Sequence, residues 1–333
     1  MTTSWSMSTG IAMAAMTCTA AMACTAAMAQ PAAMPACPGA SMRMVVPAAP
    51  GGTTDLVGRL VANHLARRAG KSVVVENKAG GGGTIGASGV AHARPDGCTV
   101  LMGNVGSNAI NYALNKKLNY GPQYFAPVTQ VFAVPNVLVV NPGVAAQDVK
   151  SLIRLAREKP GTLALANSGV GQSTHMTAEL FRMETGIDVI TVPYKGNAPA
   201  VADLLAGQVQ MMFDNAAVSL PHIQAGKLRA LAVTSAKRVE GLPGVPTMAE
   251  AGMEGFDVVA WFGLFYPART PAAHVAWLQS EVAEILKQAD VRRQIAEWSG
   301  EPGGEPAAAF QRYVDQEVRQ WQKVVDTAGI TLP

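Results

Sequence analysis

Residues 148–234 repeat one pattern, and that pattern restricts the fold more than any other feature of the chain. Asp148 opens a helical stretch with Val149, Leu152, Ile153 and Ala156 at three- and four-residue spacing, stopped by Pro160-Gly161. A strand is expected over 162–166, then a helix with Met176, Leu180 and Met183 inward, ended by Gly186. Further strands are expected over 188–192, 208–213 and 228–234, with a helix through Val201, Leu204 and Leu205 between the first two. Strand and helix alternating at this interval build an α/β layer, a parallel sheet covered by helices on both faces. Ligands on such sheets sit outside the carboxyl ends of the strands. The segments of Ser168, Tyr194 and Asp214-Asn215 all fall there.

The chain start repeats the idea. Met44-Val45-Val46 reads as a short strand that Pro47 and Pro50 stop, and Gly51-Gly52 supplies the turn. Thr53 or Thr54 is placed to cap a helix, with Asp55 in its first turn and Leu56, Leu60, Val61 and Leu65 on one face. Such a loop points free backbone N–H groups outward at a positive helix end, a seat for a carboxylate or phosphate. Asn167-Ser168-Gly169-Val170-Gly171-Gln172-Ser173 is a second loop of this kind, and an isolated Gly-Gly-Thr without it would read as an ordinary turn. Ala48, Gly51, Gly52, Thr53 and Asp55 are the candidate ligand residues of the first loop. Those of the second are Ser168, Gly169, Gly171, Ser173 and His175. Ser107 adds a contact or a helix cap from a polar loop at 103–108, and Tyr194, Lys195, Asp214 and Asn215 complete the set.

The 333 residues are 49% hydrophobic, enough for a large core and two domains. A net charge of +3 with no basic cluster, and 6% aromatic residues, argue against nucleic acid as a partner. Strands are expected over 71–76, 98–102, 137–140 and 258–266, the last two crossing between domains. Amphipathic helices are expected over 271–287, 291–298 and 307–325, with Trp277, Leu278, Val282, Ile285 and Leu286 as core.

Gly81, Gly83 and Gly86 match the G-x-G-x-x-G spacing of dinucleotide sites. That fingerprint wants the glycines tight against the strand and an acidic residue about 20 positions on. Here residues 77–80 intervene, and no acidic residue follows Asp96 until Asp148. A loop feeding a helix over 85–93 is the stronger reading; a nicotinamide- or nucleotide-dependent enzyme using residues 80–86 is the alternative. No H-E-x-x-H, G-x-S-x-G or P-loop pattern occurs, and nothing assembles a nucleophile, base and orienter. Neither catalytic residues, metal ligands nor a cofactor are therefore expected, and the chain reads as a binding protein rather than an enzyme.

Residues 1–40 contain no Lys, Arg, Asp or Glu. Ala27-Met28-Ala29 before Gln30 fits a cleavage site, so residues 1–29 read as an atypical export signal without its basic start, and 30–42 as a flexible tail. A mis-assigned start or Ala-rich padding are the competing readings. Ala21-Met22-Ala23-Cys24 resembles a lipoprotein box lacking its usual Leu, a minority reading that would anchor the chain at Cys24. Of four cysteines, Cys37 and Cys98 would survive cleavage after Ala29 and are able to pair in an oxidising compartment.

The chain resembles the substrate-binding receptors of tripartite tricarboxylate transport systems, the Bug-type receptors, from about Arg43 onward. The resemblance rests on seven segments in the family's order. They begin with Pro50-Gly51-Gly52-Thr53-Thr54-Asp55, Val75-Glu76-Asn77-Lys78-Ala79-Gly80 and Pro95-Asp96-Gly97-Cys98-Thr99. Ser168-Gly169-Val170-Gly171 and Pro193-Tyr194-Lys195-Gly196 follow. Gly226-Lys227-Leu228-Arg229-Ala230-Leu231-Ala232-Val233 and Pro246-Thr247-Met248-Ala249-Glu250-Ala251-Gly252 close the series. The family commonly has an aromatic residue where Ala48 or Ala49 stands, and an acidic one where this chain has Tyr124.

The resemblance implies a periplasmic binding protein fold of type II, a two-lobed Venus flytrap with a two-strand hinge. Residues 43–138 with 257–333 would form one lobe and 139–256 the other, pivoting near 139–141 and 258–260. It implies a periplasmic, monomeric receptor for a small carboxylate, gripped by backbone N–H groups and ordered waters of the two loops. A tripartite tricarboxylate permease or the ectodomain of a sensor kinase would be its protein partner. The residues agree: neither loop contains Lys or Arg, so helix ends must supply the positive potential, with Lys195 the nearest fixed charge.

Overall fold

The computed structural model describes residues 1–3, 35 and 41–331. Residues 1–31 are a unit of their own, described only at 1–3, where there is no regular structure. The second unit, from Ala32 onward, carries all the described helices and strands. The expected leader, its cleavage site, Cys24 and Cys37 lie outside the described residues; Cys98 is disulfide-bonded.

Three strands open the fold: β1 (Ser41–Val46), β2 (Ser72–Asn77) and β3 (Thr99–Asn104), parallel and ordered β2-β1-β3. Helices α1 (Thr53–Ala69) and α2 (Thr84–Ala91) make the crossovers. The cap of α1 is Gly52, not Thr53 or Thr54, and no side chain bonds there; both threonines are buried inside the first turn. The buried face of α1 runs through Val57, Val61, Ala62 and Leu65, while Leu56 and Leu60 are half-buried. Gly58 permits the close approach, since a Cβ there would meet Val46 Cγ2 at 2.9 Å.

Residues 103–108, expected as a loop, instead finish β3 and wind into a π-helical turn (Gly106–Ile110) that leads to α3 (Asn111–Leu114). A reciprocal cap drives this. Ser107 N donates to Asn104 Oδ1 at 2.9 Å and Asn104 N to Ser107 Oγ at 3.1 Å, which satisfies two amides locally.

The second set of parallel strands, ordered β7-β5-β6, consists of β5 (Ala164–Asn167), β6 (Ile190–Pro193) and β7 (Met211–Asn215). Around them lie α4 (Val149–Glu158), α5 (Ser173–Thr185), α6 (Asn197–Leu205) and α7 (Ala216–Gln224). Asp148 caps α4 in a capping box with Ser151. In α5 the inward face carries Thr174, Thr177, Ala178 and Phe181 beside Met176; Met183, expected inward, is 51% exposed. Polar residues fill that face because part of it packs on other polar groups rather than on a dry core, which apolar periodicity alone does not reveal.

One long strand, β4 (Phe125–Val140), joins the two sets. Its first part pairs antiparallel with β9 (Val259–Pro267) through Pro135, and from Asn136 it pairs with β7 and β8 (Arg229–Val233). The partner therefore changes at Pro135/Asn136, just ahead of the expected lobe boundary. Proline is tolerated there because one flank of β4 has no strand beside it. On that side β10 (Glu301–Pro302) reaches only Phe132 and Ala133, and β7 starts opposite Asn136. β8 and β9 follow one another along the other flank of β4, with residues 234–258 looped out between them. The sheet is thus mixed: parallel where βα units wind it, antiparallel where β4 and β9 enter.

Helices α8 (Ala272–Lys287), α9 (Ala289–Glu297) and α10 (Ala307–Ala328) end the fold, α8 and α10 packing on β4 and α8 also on α1. Trp277, Leu278, Val282, Ile285 and Leu286 are all buried, and Trp261 of β9 meets Phe310 of α10 edge-on at 5.8 Å.

Candidate functional site

Three strand ends, those of β1, β5 and β6, hand over to the N-termini of α1, α5 and α6. All three helix starts open onto one small cavity of about 30 Å³. From the first lobe it is lined by Pro47, Ala48, Thr54 and the glycines at 80–83. From the second come Ser168, Gln172 and residues 194–197. The helix caps are Gly52, Gln172 and Gly196, and none makes a side-chain cap bond. Helix geometry leaves the first-turn amides without intrahelical acceptors, so their N–H groups and the aligned dipoles face the cavity. A larger open groove of about 660 Å³ lies beside α5 and α10, but Glu184, Glu254 and Asp257 line it and no helix starts there.

The two sides touch. Ala49 N donates to the Lys195 carbonyl at 2.9 Å, and Gln172 Nε2 donates to the Gly82 carbonyl. Asn111 Nδ2 reaches the carbonyls of Gly106 at 2.9 Å and of Gly171 and Gly82 at 3.4 Å. A Cβ on Gly171 (φ 79°) would press on Asn111 Oδ1 at 2.5 Å, so both backbone angle and space require glycine.

Of the residues expected from the sequence, Ala48, Ser168, Tyr194 and Lys195 line the cavity. Ser168 Oγ is 2.7 Å from Thr174 Oγ1, while its amide donates to the same oxygen. The Tyr194 hydroxyl donates to Asp203 Oδ2 at 2.6 Å; burial, and then that hydrogen bond, push the phenol up to about 12. The Lys195 side chain is exposed and makes no ion pair among the described residues. Gly52, Thr53, Gly169 and Gly171 sit in the loops around the lining. Ser173 is the first residue of α5, while the cap position expected of it belongs to Gln172.

Five candidates serve the scaffold instead. Asp55 accepts from Gly51 N at 2.9 Å, Arg59 Nε at 2.9 Å and Asn77 Nδ2 at 2.8 Å. Burial pushes its carboxyl up, but these donors outweigh burial and hold it below the usual value. Asp55 thus takes the Gly51 amide that a ligand was expected to use. Ser107 is spent on Asn104 and Asn108. His175 Nδ1 accepts from Gly171 N at 3.3 Å, and burial lowers its pKa, which suits a neutral ring bracing the loop. Asp214 and Asn215 lie beneath the cavity floor. Asp214 is fully buried, and burial pushes its carboxyl up to about 6 against the hydrogen bonds of Ser219 and Asn197.

The sequence reading missed Gln172, Asn197 and the glycines at 80–83 as lining. The glycine run was visible, but its spacing suggested only a nucleotide or a plain turn. Asn197 carried a weak signal: an amide directly after a glycine at a helix start. Together the site offers oriented N–H donors, neutral amides and one peripheral ammonium, suited to hold an anion and without a nucleophile–base pair.

The family profile described as "Tripartite tricarboxylate transporter family receptor" matches residues 57–330. Protein BugT of Bordetella pertussis is 35% identical over 297 residues, covering 89% of this chain and 91% of BugT. Rpa4515 of R. palustris, solved with adipate, is 39% identical with a TM-score of 0.84, over 87% of this chain and 98% of that one. MatC of Rhodopseudomonas palustris, solved with bound malate, is 33% identical with a TM-score of 0.82, over 86% and 98%.

Proposed function

The chain belongs to the tripartite tricarboxylate transporter receptor family, and from that premise we propose that it captures a small organic carboxylate between its lobes after export to the periplasm. The family is one of binding proteins, not enzymes, so the nucleotide-dependent alternative falls away. Among the described residues no helix is long and apolar enough to cross a membrane. A tripartite permease, or a sensor ectodomain, is the partner that would receive the ligand or read the closed form.

The convergence of three helix N-termini on one cavity carries the proposal. A carboxylate there replaces its lost hydration with fixed N–H donors, and the aligned dipoles favour its charge. A cavity of about 30 Å³ holds about one water, so a multi-carbon acid enters only when the lobes part. Ligand exchange and lobe motion are then one event, the property a shuttle between membrane partners requires.

Thermal-shift screening against linear, branched and aromatic carboxylates tests this, with calorimetry on the best binder. A saturable stabilisation by at least one acid, and none by dinucleotides, is expected. Stabilisation by dinucleotides alone, or by no acid, would overturn the assignment.

A further inference from the structure

Asn197 is the first residue of α6, lines the cavity and is 95% buried. Its amide nitrogen is turned away from the ligand space. Nδ2 donates to Asp214 Oδ1 and, at 3.3 Å, to Asn215 Oδ1, and an amide nitrogen has two hydrogens to give. The neighbours fix this orientation. An ionised Asp214 only accepts, and its other oxygen already takes the Ser219 hydroxyl. Asn215 is oriented to match: its Nδ2 donates to Asn136 Oδ1 at 2.7 Å, and Asn136 Nδ2 donates in turn to Thr177 Oγ1 at 2.8 Å, a hydroxyl that would serve either order. The acceptor-only Asp214 carboxylate thus sets which end of the Asn197 amide faces out.

That end is the oxygen. Asn197 Oδ1 receives no hydrogen bond from any described residue, and it stands 3.5 Å from where a Cβ on Gly52 would be, at the start of α1. Beside the anion seat, therefore, lies a fixed acceptor with no donor of its own. A bound plain carboxylate would set an oxygen against that acceptor or cover it without a donor, and an acceptor covered in that way carries a desolvation penalty. A hydroxyl or ammonium on the acid's chain would satisfy it.

Resting on the carboxylate-receptor reading, we infer that Asn197 makes this cleft selective for carboxylates bearing a hydrogen-bond donor, a hydroxyl or ammonium group, over unsubstituted acids of equal length. Its role is specificity; the charge is held by the helix ends.

Calorimetry on matched pairs tests this: succinate with each enantiomer of malate, glutarate with 2-hydroxyglutarate, and adipate with 2-hydroxyadipate. At whichever length binds, one hydroxylated enantiomer is expected to bind about tenfold or more tighter than the plain acid. In Asn197→Ala the hydroxy acid should weaken while the plain acid gains, so that the ratio falls toward one. A gain for one ligand is something a merely damaged fold cannot give. Asn197→Thr, whose hydroxyl donates or accepts, should also shrink the ratio. Equal affinities in the unaltered protein, or an unchanged ratio in Asn197→Ala, would overturn the inference and leave the carboxylate receptor standing. Failure of every acid to bind would overturn the receptor reading and take the inference with it.

Discussion

The carbonyl oxygen of Val170 occupies the place where any side chain on Gly82 would have to begin. Gly82 stands in the glycine run at 80–83 with a φ of 59°, and Val170 in the loop before α5, so in the receptor reading this contact would limit how far the cleft closes. Gly82→Ala should therefore hold the cleft ajar while leaving each lobe folded. Carboxylate affinity is expected to fall at least about tenfold, from overlap together with a left-handed backbone cost of about 1–2 kcal/mol. Small-angle scattering of the liganded variant should show a larger radius than the liganded parent. Unchanged affinity and radius would mean the lobes do not meet here when ligand is held.

Lys195 separates two ways of holding charge. Its carbonyl is used by Ala49 while its side chain is exposed, so backbone donors are left to dominate the grip. Lys195→Ala should weaken binding by no more than about threefold, and added salt should have a correspondingly small effect. A loss of thirtyfold or more would show that the ammonium closes over the acid and pairs with it directly.

Thr234 ties the passage between lobes. Its hydroxyl donates to Val258 O at 2.6 Å and accepts from Asn136 N at 2.9 Å, where β4 changes partners and the chain loops out between β8 and β9. Thr234→Val keeps the shape and removes the bridge. The expected cost is about 1–3 kcal/mol, read as a lower denaturant midpoint. If the midpoint held but ligand-induced compaction became larger, the bridge would be limiting hinge travel rather than stabilising the fold.

How much of this was legible depended on whether a residue's partner lay nearby in the chain. The βα alternation was readable because its signals are local: Asp148 at a helix start, and Gly186, in the left-handed conformation, at a helix end. The loops at 47–55 and 167–173 were readable for the same reason. What Asp55 does was not, because one of its donors, Asn77, lies at the end of another strand. Nor was the part played by Gly82 and Gly83, whose need for open space is set by Val170 and Gln172 across the cleft. Asn197 shows the limit most clearly: its orientation depends on Asp214, and Asn215, Asn136 and Thr177 continue the hydrogen-bond chain, all brought together only by the fold.

Asp214 gives a pH signature that tests this arrangement from beneath. Burial raises its carboxyl from 3.8 to about 6, so the folded protein holds the proton more tightly than the unfolded chain does. A group shifted in this direction contributes stability that is fully present below about pH 4. That contribution is lost as pH rises through about 6. The separation of about two pH units corresponds to about 3 kcal/mol, an upper figure for a single site. Other carboxyls act the opposite way, Asp55 among them, so the readout is the difference between the parent and Asp214→Asn. The asparagine still offers an oxygen to Asn197 and cannot ionise. Relative to the parent, the variant should therefore gain stability as pH goes from 4 to 7, with most of the change between about pH 4 and 6. Chemical denaturation at half-unit pH steps would measure it. A flat difference across that range would mean that Asp214 ionises as easily in the fold as in water, which full burial does not allow.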